Sequence, residues 1–337
     1  MPRRRALLGL AAMATSAPAQ AQLSPPPRSV APATAPAGWA PDRPARILVG
    51  FAAGGTGDLI ARLVAEAAAP RLGQPVLVEN RAGANGMIAA EAAARAAPDG
   101  LTMLMCPTGN MTILPELPGA RPPVDVRAEL MPIANVALST YGVVVGAGAP
   151  WRTVAEFVEA AKARPGALSF ASVGTGSVQH LAGERLRRAA GIDLLHVAYR
   201  GASLAVVDLV ALRADAMVTN LGDVARQVKG GELRLLALGD PAGHPLFPDA
   251  PKLGDTVPGL EVTSWLGICG PRGLPPEAVA AWSGAVLDGL AEPHLAARLT
   301  ENGLRPLPEG PHAFAVRVAR DRAAWGEAIR AAGIRAE

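Results

Sequence analysis

The sequence predicts an α/β fold of parallel strands alternating with helices, built as two doubly wound domains or as one large doubly wound sheet. Three observations carry this reading. Short apolar runs alternate with helix-period patterns along most of the chain. Two of those runs end in loops rich in Gly, Ser and Thr that lead directly into amphipathic helices. Two passages, Tyr141–Ala149 followed by Pro150 and Ser264–Gly270 followed by Pro271, share a strand–proline–helix pattern and flank a central block. Two such passages suggest two chain crossings, with one domain made from both chain ends and another inserted.

The N-terminus reads as an export signal. Arg3-Arg4-Arg5 precedes an apolar stretch from Ala6 to Ala14, and Ala19-Gln20-Ala21 offers a small-residue cleavage site. The apolar stretch is too short to span a bilayer. Cleavage is expected near Ala21, by the general or the twin-arginine export route. Residues 22–40, rich in Pro and Ala, form a linker unable to build a core. The roughly 295 residues that remain suffice for one large or two ordinary domains.

Strands are expected at Ile47–Phe51, Val76–Glu79 and Leu101–Met105. Helices near 58–71 and 86–96 separate them, closed by Gly73 with Pro75 and by Pro98-Asp99-Gly100. A long apolar segment runs from Ile133 to Val145, and a helix from Trp151 to Arg164 ends at Pro165-Gly166. Leu168–Ala171, Leu194–Ala198, Ala216–Thr219 and Arg234–Leu238 read as further strands. A Pro-rich stretch spans 241–258, and helices follow near 276–291, 293–302 and 311–332.

Composition excludes several functions. Half the chain is apolar, yet no uninterrupted run is long enough for a membrane helix. The three leading arginines account for the formal charge of +3, so the mature protein is near neutral. Without a basic cluster interleaved with aromatics, nucleic acid is not an expected partner. Cys106 and Cys269 could pair in an oxidising compartment, but packed thiols at strand ends are the favoured reading. Neither the cysteines nor the five scattered histidines have metal-ligand spacing, so no metal or cofactor is expected.

The loop Gly50-Phe51-Ala52-Ala53-Gly54-Gly55-Thr56-Gly57-Asp58 joins the first strand to a helix with Leu59, Ile60, Leu63, Val64 and Ala67 on one side. Backbone N–H groups and the positive helix end converge there, which suits an anion. Ile60 stands where a dinucleotide fingerprint needs its third glycine, and Thr56 where a P-loop needs lysine. A small carboxylate is therefore expected, against a plain strand-to-helix turn. Ala171-Ser172-Val173-Gly174-Thr175-Gly176-Ser177 repeats the arrangement, with Ser177 as N-cap and His180 in the first turn. Two such loops facing across a cleft could hold the two ends of a dianion. Gly83-Ala84-Asn85-Gly86, Pro107-Thr108-Gly109-Asn110 and Tyr199-Arg200-Gly201 are strand-end loops able to line the same cleft. Arg200 is either a charge-assisted contact or a solvated loop residue. Neither Ser172 nor Ser177 sits in a nucleophile elbow, so no catalytic residue is expected.

These residues resemble the Bug (TctC-like) periplasmic solute-binding proteins of tripartite tricarboxylate transporters, over Pro41 to Glu337. The markers include Pro41-Asp42-Arg43-Pro44, Gly54-Gly55-Thr56-Gly57-Asp58, Gly73-Gln74-Pro75-Val76 and Val78-Glu79-Asn80-Arg81-Ala82-Gly83-Ala84. Ala97-Pro98-Asp99-Gly100, Phe170-Ala171-Ser172-Val173-Gly174, His180-Leu181-Ala182-Gly183-Glu184, His196-Val197-Ala198-Tyr199-Arg200-Gly201, Asn220 and Thr263-Ser264-Trp265 follow in order. The chain departs from the family pattern at Ala52 and Ala53, where prolines are usual, and at Arg200, where lysine is frequent.

The resemblance implies a bilobed periplasmic binding protein of type II-like architecture, two doubly wound α/β domains joined by two crossover segments. Residues 41–138 with 261–337 would form one domain and 139–260 the other. It implies a monomeric periplasmic receptor that captures a small carboxylate and passes it to integral-membrane transporter subunits. Each loop would hold one carboxylate, and Asp58 would order water or select polar groups. The residues expected at the ligand are Phe51, Ala53, Gly54, Gly55, Thr56, Gly57, Asp58, Thr108, Ser172, Gly174, Thr175, Gly176, Ser177, His180, Arg200 and Asn220. Two other readings stand beside this one: a ligand-sensing receptor for a two-component sensor kinase, and an exported hydrolase using Ser172 or Ser177.

Overall fold

The structure, a computed structural model, describes residues 38–336. The expected export signal and the linker up to residue 37 lie outside the described residues. In chain order the first elements are β1 (Ala45–Val49), α1 (Thr56–Leu72), β2 (Val76–Asn80), α2 (Met87–Ala94) and β3 (Thr102–Pro107). A short π turn (Gly109–Ile113) leads to α3 (Val126–Glu129), β4 (Leu130–Gly146), α4 (Val154–Ala163), β5 (Ser169–Ser172) and α5 (Val178–Ala189). Then come β6 (Leu195–Ala198), α6 (Ala202–Val210), β7 (Ala216–Asn220), α7 (Leu221–Lys229), β8 (Leu233–Leu238) and α8 (Leu253–Thr256). The chain closes with β9 (Thr263–Pro271), α9 (Pro276–Leu290), α10 (Pro293–Glu301), β10 (Leu304–Glu309) and α11 (Pro311–Ala332).

The strands form one hydrogen-bonded network that β4 divides into two lobes. Its first part pairs with β9, from Leu130↔Pro271 to Thr140↔Thr263, and with β10. Its second part, from Tyr141 to Gly146, pairs with β7 and β8. The first lobe therefore runs β2-β1-β3-β9-β4-β10, and the second β8-β4-β7-β5-β6. The chain returns after β8, where Gly239 N–H bonds Tyr141 O at 2.8 Å and Val262 N–H bonds Gly239 O at 2.8 Å. Parallel pairing holds within the βαβ units β2-β1-β3 and β6-β5-β7. The shared strand and the strands beside it run antiparallel, which the βαβ pattern read from sequence did not include. Their connections do not return each strand to the same end of its own sheet, as a βαβ crossover does.

Periodicity and burial agree. In α1, Ile60, Leu63, Val64, Ala68 and Leu72 are buried against β1, β3 and α9. Gly73 ends the helix at φ +74°, and its N–H bonds Ala69 O at 3.0 Å. Trp282 of α9 is fully buried and donates to Gly100 O at 2.8 Å, which satisfies its one polar atom. In the second lobe Phe170 of β5, His196 of β6 and His180 of α5 bring their rings together, with centroids 4.9 Å and 4.4 Å apart. Burial, reinforced by His196, pushes His180 down to about 4.

Cys106 and Cys269 form a disulfide, with Cα atoms 5.8 Å apart. This corrects the packed-thiol reading. Cys106 lies opposite Gly267 and Cys269 opposite Leu104, so the two are diagonal neighbours on the antiparallel β3/β9 ladder. No sequence pattern gives that register across a separation of 163 residues. The bridge ties β3, which ends in the Pro107–Asn110 loop, to a strand beside the shared β4.

Replacing both cysteines with alanine should lower unfolding free energy by about 2–5 kcal/mol, because a long cross-link restricts the unfolded chain. Denaturant unfolding of oxidised wild type against the double variant measures this, and equal midpoints would contradict it. The neutral His180 adds a pH dependence. Its folded value lies below its ordinary value of 6.5, so the unfolded state binds more protons between the two. The stabilisation is complete above that ordinary value and is lost as pH falls toward the folded one, by about 3 kcal/mol in all. His180→Gln should flatten this part of the stability–pH curve, and an unchanged slope would contradict the assignment.

Candidate functional site

Two cavities lie where strand-end loops of both lobes meet. The inner one has a volume of about 60 Å³. From the first lobe it is lined by Phe51, Gly55, Thr56 and Gly57 at the start of α1, by Asn85, and by Pro107-Thr108-Gly109-Asn110. The second lobe contributes Tyr141, Val173, Ser177, Val178, Gln179, Ala202, Asn220 and Asp223. Ser264 and Leu266 of β9 complete it. The outer cavity, about 440 Å³, shares Phe51, Asn85 and Val173 and is also bordered by Gly174, Thr175, Tyr199 and Arg200.

The wall of the inner cavity is held by hydrogen bonds. Asp223, in the first turn of α7, accepts from Thr56 N–H at 2.9 Å and Thr56 Oγ1 at 2.6 Å through Oδ1. Its Oδ2 accepts from Thr219 Oγ1 at 2.7 Å and Asn220 Nδ2 at 3.0 Å. One carboxylate therefore joins the leading residue of α1 in the first lobe to the end of β7 in the second. Ser139 Oγ donates to Asn220 Oδ1 at 2.5 Å, orienting that amide. Thr108 Oγ1 is committed to the backbone of Trp265, receiving its N–H at 2.8 Å and donating to its carbonyl at 3.1 Å. Tyr141 OH accepts from Ser264 Oγ at 3.1 Å, and burial pushes its pKa up, so it stays a neutral donor.

Other polar groups here are uncommitted. Asn85 is 8% exposed and Asn110 1%. Neither side-chain polar atom of Asn85 has a protein partner, nor does Oδ1 of Asn110. Ser177 caps α5 as the sequence indicates, its Oγ accepting from His180 N–H at 3.1 Å. The first-turn amides of Val178 and Gln179 have no carbonyl one turn back to receive them. The inner cavity thus combines a positive helix end, free amide side chains and a phenol, a set suited to a small polar ligand.

Of the residues expected at the ligand, Phe51, Gly55, Thr56, Gly57, Thr108, Ser177 and Asn220 line the inner cavity. Gly174, Thr175 and Arg200 border the outer one, with Arg200 exposed. Ala53, Gly54, Asp58, Ser172, Gly176 and His180 border neither. Ala53 O receives Ser203 Oγ across the cleft at 3.2 Å. Asp58 faces back into its own loop, accepting from Gly54 N–H, Arg62 and Asn80. Burial opposes its ionisation, but these donors outweigh it and hold the carboxyl below the usual range. Ser172 is fully buried, its Oγ 2.7 Å from His196 Nε2 and accepting from Gly174 N–H at 3.0 Å. That serine–histidine pair fastens β5 to β6, with the serine closed off from solvent. His180 Nδ1 accepts Gly176 N–H at 3.3 Å within the ring cluster.

Sequence reasoning passed over Tyr141, Gln179, Asp223 and Ser264 as individuals. Tyr141 and Ser264 begin the two strand–proline–helix passages, a signal that could have drawn attention to both. Asp223 follows Asn220 by one helical turn, which places them side by side.

Residues 60–334 match the family described as tripartite tricarboxylate transporter family receptor, TctC. A UPF0065 protein from the tcbD-tcbE intergenic region of Pseudomonas sp. (strain P51) is 32% identical over 86% of each chain. The structure of the periplasmic binding protein BugD aligns with TM-score 0.84 at 30% identity, covering 88% of this chain and all of that one. MatC from Rhodopseudomonas palustris with bound malate aligns at 0.80 and 30% identity, over 85% of this chain and 99% of its own. R. palustris Rpa4515 with adipate aligns at 0.84 and 28%, over 88% and 99%. The bilobed α/β fold is that of these periplasmic binding proteins. With this match across most of its length, the chain belongs to the TctC family of tripartite tricarboxylate transporter receptors, solute-binding proteins rather than enzymes.

Proposed function

We propose that this protein captures a small organic carboxylate between its lobes and delivers it to the membrane subunits of a tripartite transporter. In this reading it is exported to the periplasm, cleaved near Ala21 and monomeric. In it the two domains are residues 41–138 with 261–337 and residues 139–260, a boundary two residues before β4 changes partners. The observation that carries the reading is the inner cavity, where the α5 amides, the Asn85 amide and the Tyr141 hydroxyl offer donors to one carboxylate. Malate and adipate in related structures support the ligand class. The family description supports delivery.

Capture follows from closure. Groups from both lobes line the cavity, so a ligand touching both favours the closed arrangement and shifts the population toward it. The closed contacts are tight. A Cβ added at Gly201 would fall 2.9 Å from Ala52 Cβ and 3.0 Å from Ala52 N, across the cleft. Gly201 has an extended backbone at φ 163°, so alanine fits its conformation and meets an obstacle only on closure.

Thermal unfolding of residues 22–337 against mono-, di-, tri- and amino-carboxylates, each paired with its neutral amide, tests the reading. A ligand at about 100 times its dissociation constant should add about 2.7 kcal/mol of stability. A shift with an acid and none with its amide is expected; no shift with any acid, or equal shifts with the amides, would overturn it. Gly201→Ala should leave unliganded stability unchanged and weaken ligand binding about tenfold, the scale of a modest overpacking cost. Unchanged affinity would show that these loops do not close on each other.

A further inference from the structure

Among the side chains lining the inner cavity, Asp223 is the only carboxylate, and none is a lysine, arginine or histidine. Arg121 and Arg200, the basic residues nearby, border the outer cavity and are exposed. The leading residue of α1, where sequence places one carboxylate of a dianion, already gives its N–H and hydroxyl to Asp223 Oδ1. A second ligand carboxylate here would meet a protein carboxylate without a counter-charge, and like charges at such range repel strongly where water is excluded.

We propose that Asp223 determines specificity by selecting a carboxylate ligand that also bears a cationic nitrogen. The inference rests on the carboxylate reading above and deepens it. The ligand carboxylate lies at the Val178 and Gln179 amides, and the nitrogen lies toward Asp223. Two further observations match a ligand of mixed charge. Asn110 Oδ1 and Asn85 Oδ1 are acceptors more than nine-tenths buried without a protein partner, and they call for hydrogen-bond donors. Asn85 Nδ2, also without a partner, needs an acceptor such as a carboxylate oxygen. An ionised dicarboxylate brings no donor of its own to these acceptors, whereas an ammonium brings three.

Calorimetric titration of the mature protein with butanedioate, butanoate, 2-aminobutanoate, 4-aminobutanoate and butanamide, and with their six-carbon counterparts, tests this. With wild type, an amino acid of one of the two series should bind at least about tenfold more tightly than the dicarboxylate and the unsubstituted acid of equal length. Asp223→Asn should weaken that amino acid about tenfold or more and strengthen the dicarboxylate. Asp223→Ser, which removes the charge and keeps a small acceptor, should reverse the order in the same direction. A dicarboxylate that binds wild type as tightly as it binds both variants would overturn the role of Asp223. So would an amino acid whose affinity neither variant changes. If acids bind no better than amides, or nothing binds, the carboxylate reading itself fails, and this inference fails with it.

Discussion

The cleft is organised around one carboxylate that belongs to the protein. Asp223 reaches from α7 to the first residue of α1 and accepts from its N–H and its hydroxyl. This contact joins the two lobes and satisfies a helix end that would otherwise face the cavity with an open amide. It also holds Thr219 and Asn220, and Asn220 in turn receives Ser139 from the shared strand. The position of the leading turn of α1, the end of β7 and the middle of β4 thus depends on the same group. The two helix ends that look equivalent in sequence are consequently different: α1 has an internal partner for its leading amide, and α5 leaves its first-turn amides to the cavity.

The scaffold serves that cleft by continuity. Because β4 runs through both lobes, the residues at its change of partners, from Ser139 to Tyr141, lie at the junction of the two ladders. The return strand β9 starts beside them, which places Ser264 against Tyr141 and Trp265 against Thr108. The Cys106–Cys269 bridge fixes β9 to β3 near the loop that carries Thr108 and Asn110. Groups from distant parts of the sequence therefore meet through adjacent strands, with no dedicated insertion to bring them together.

Much of this was legible in the chain. Apolar periodicity located the helices, and Gly73 and Ser177 act as the terminators and caps their residue types suggest. The glycine-rich loops at residues 51–58 and 171–177 do come to the cleft, as do those carrying Asn85 and Thr108. Direction within the loops was not legible. Asp58 and Asp223 are both acidic residues in the first turn of a helix, yet one folds back onto Arg62 and the other crosses to the opposite lobe. That choice is made by tertiary packing, as is the register that pairs the cysteines. β10 also escaped notice, because Leu304–Glu309 carries two prolines and gains its strand geometry only by lying along β4.

The account is tested most directly by residue-resolved amide hydrogen exchange on the protein with and without the carboxylate that stabilises it most. If Asp223 satisfies α1 while α5 awaits the ligand, the Thr56 amide exchanges slowly in both states. Val178 and Gln179 then slow only when the ligand is bound. Rapid exchange at Thr56 in the free protein, or no change at Val178 and Gln179 on binding, would contradict it.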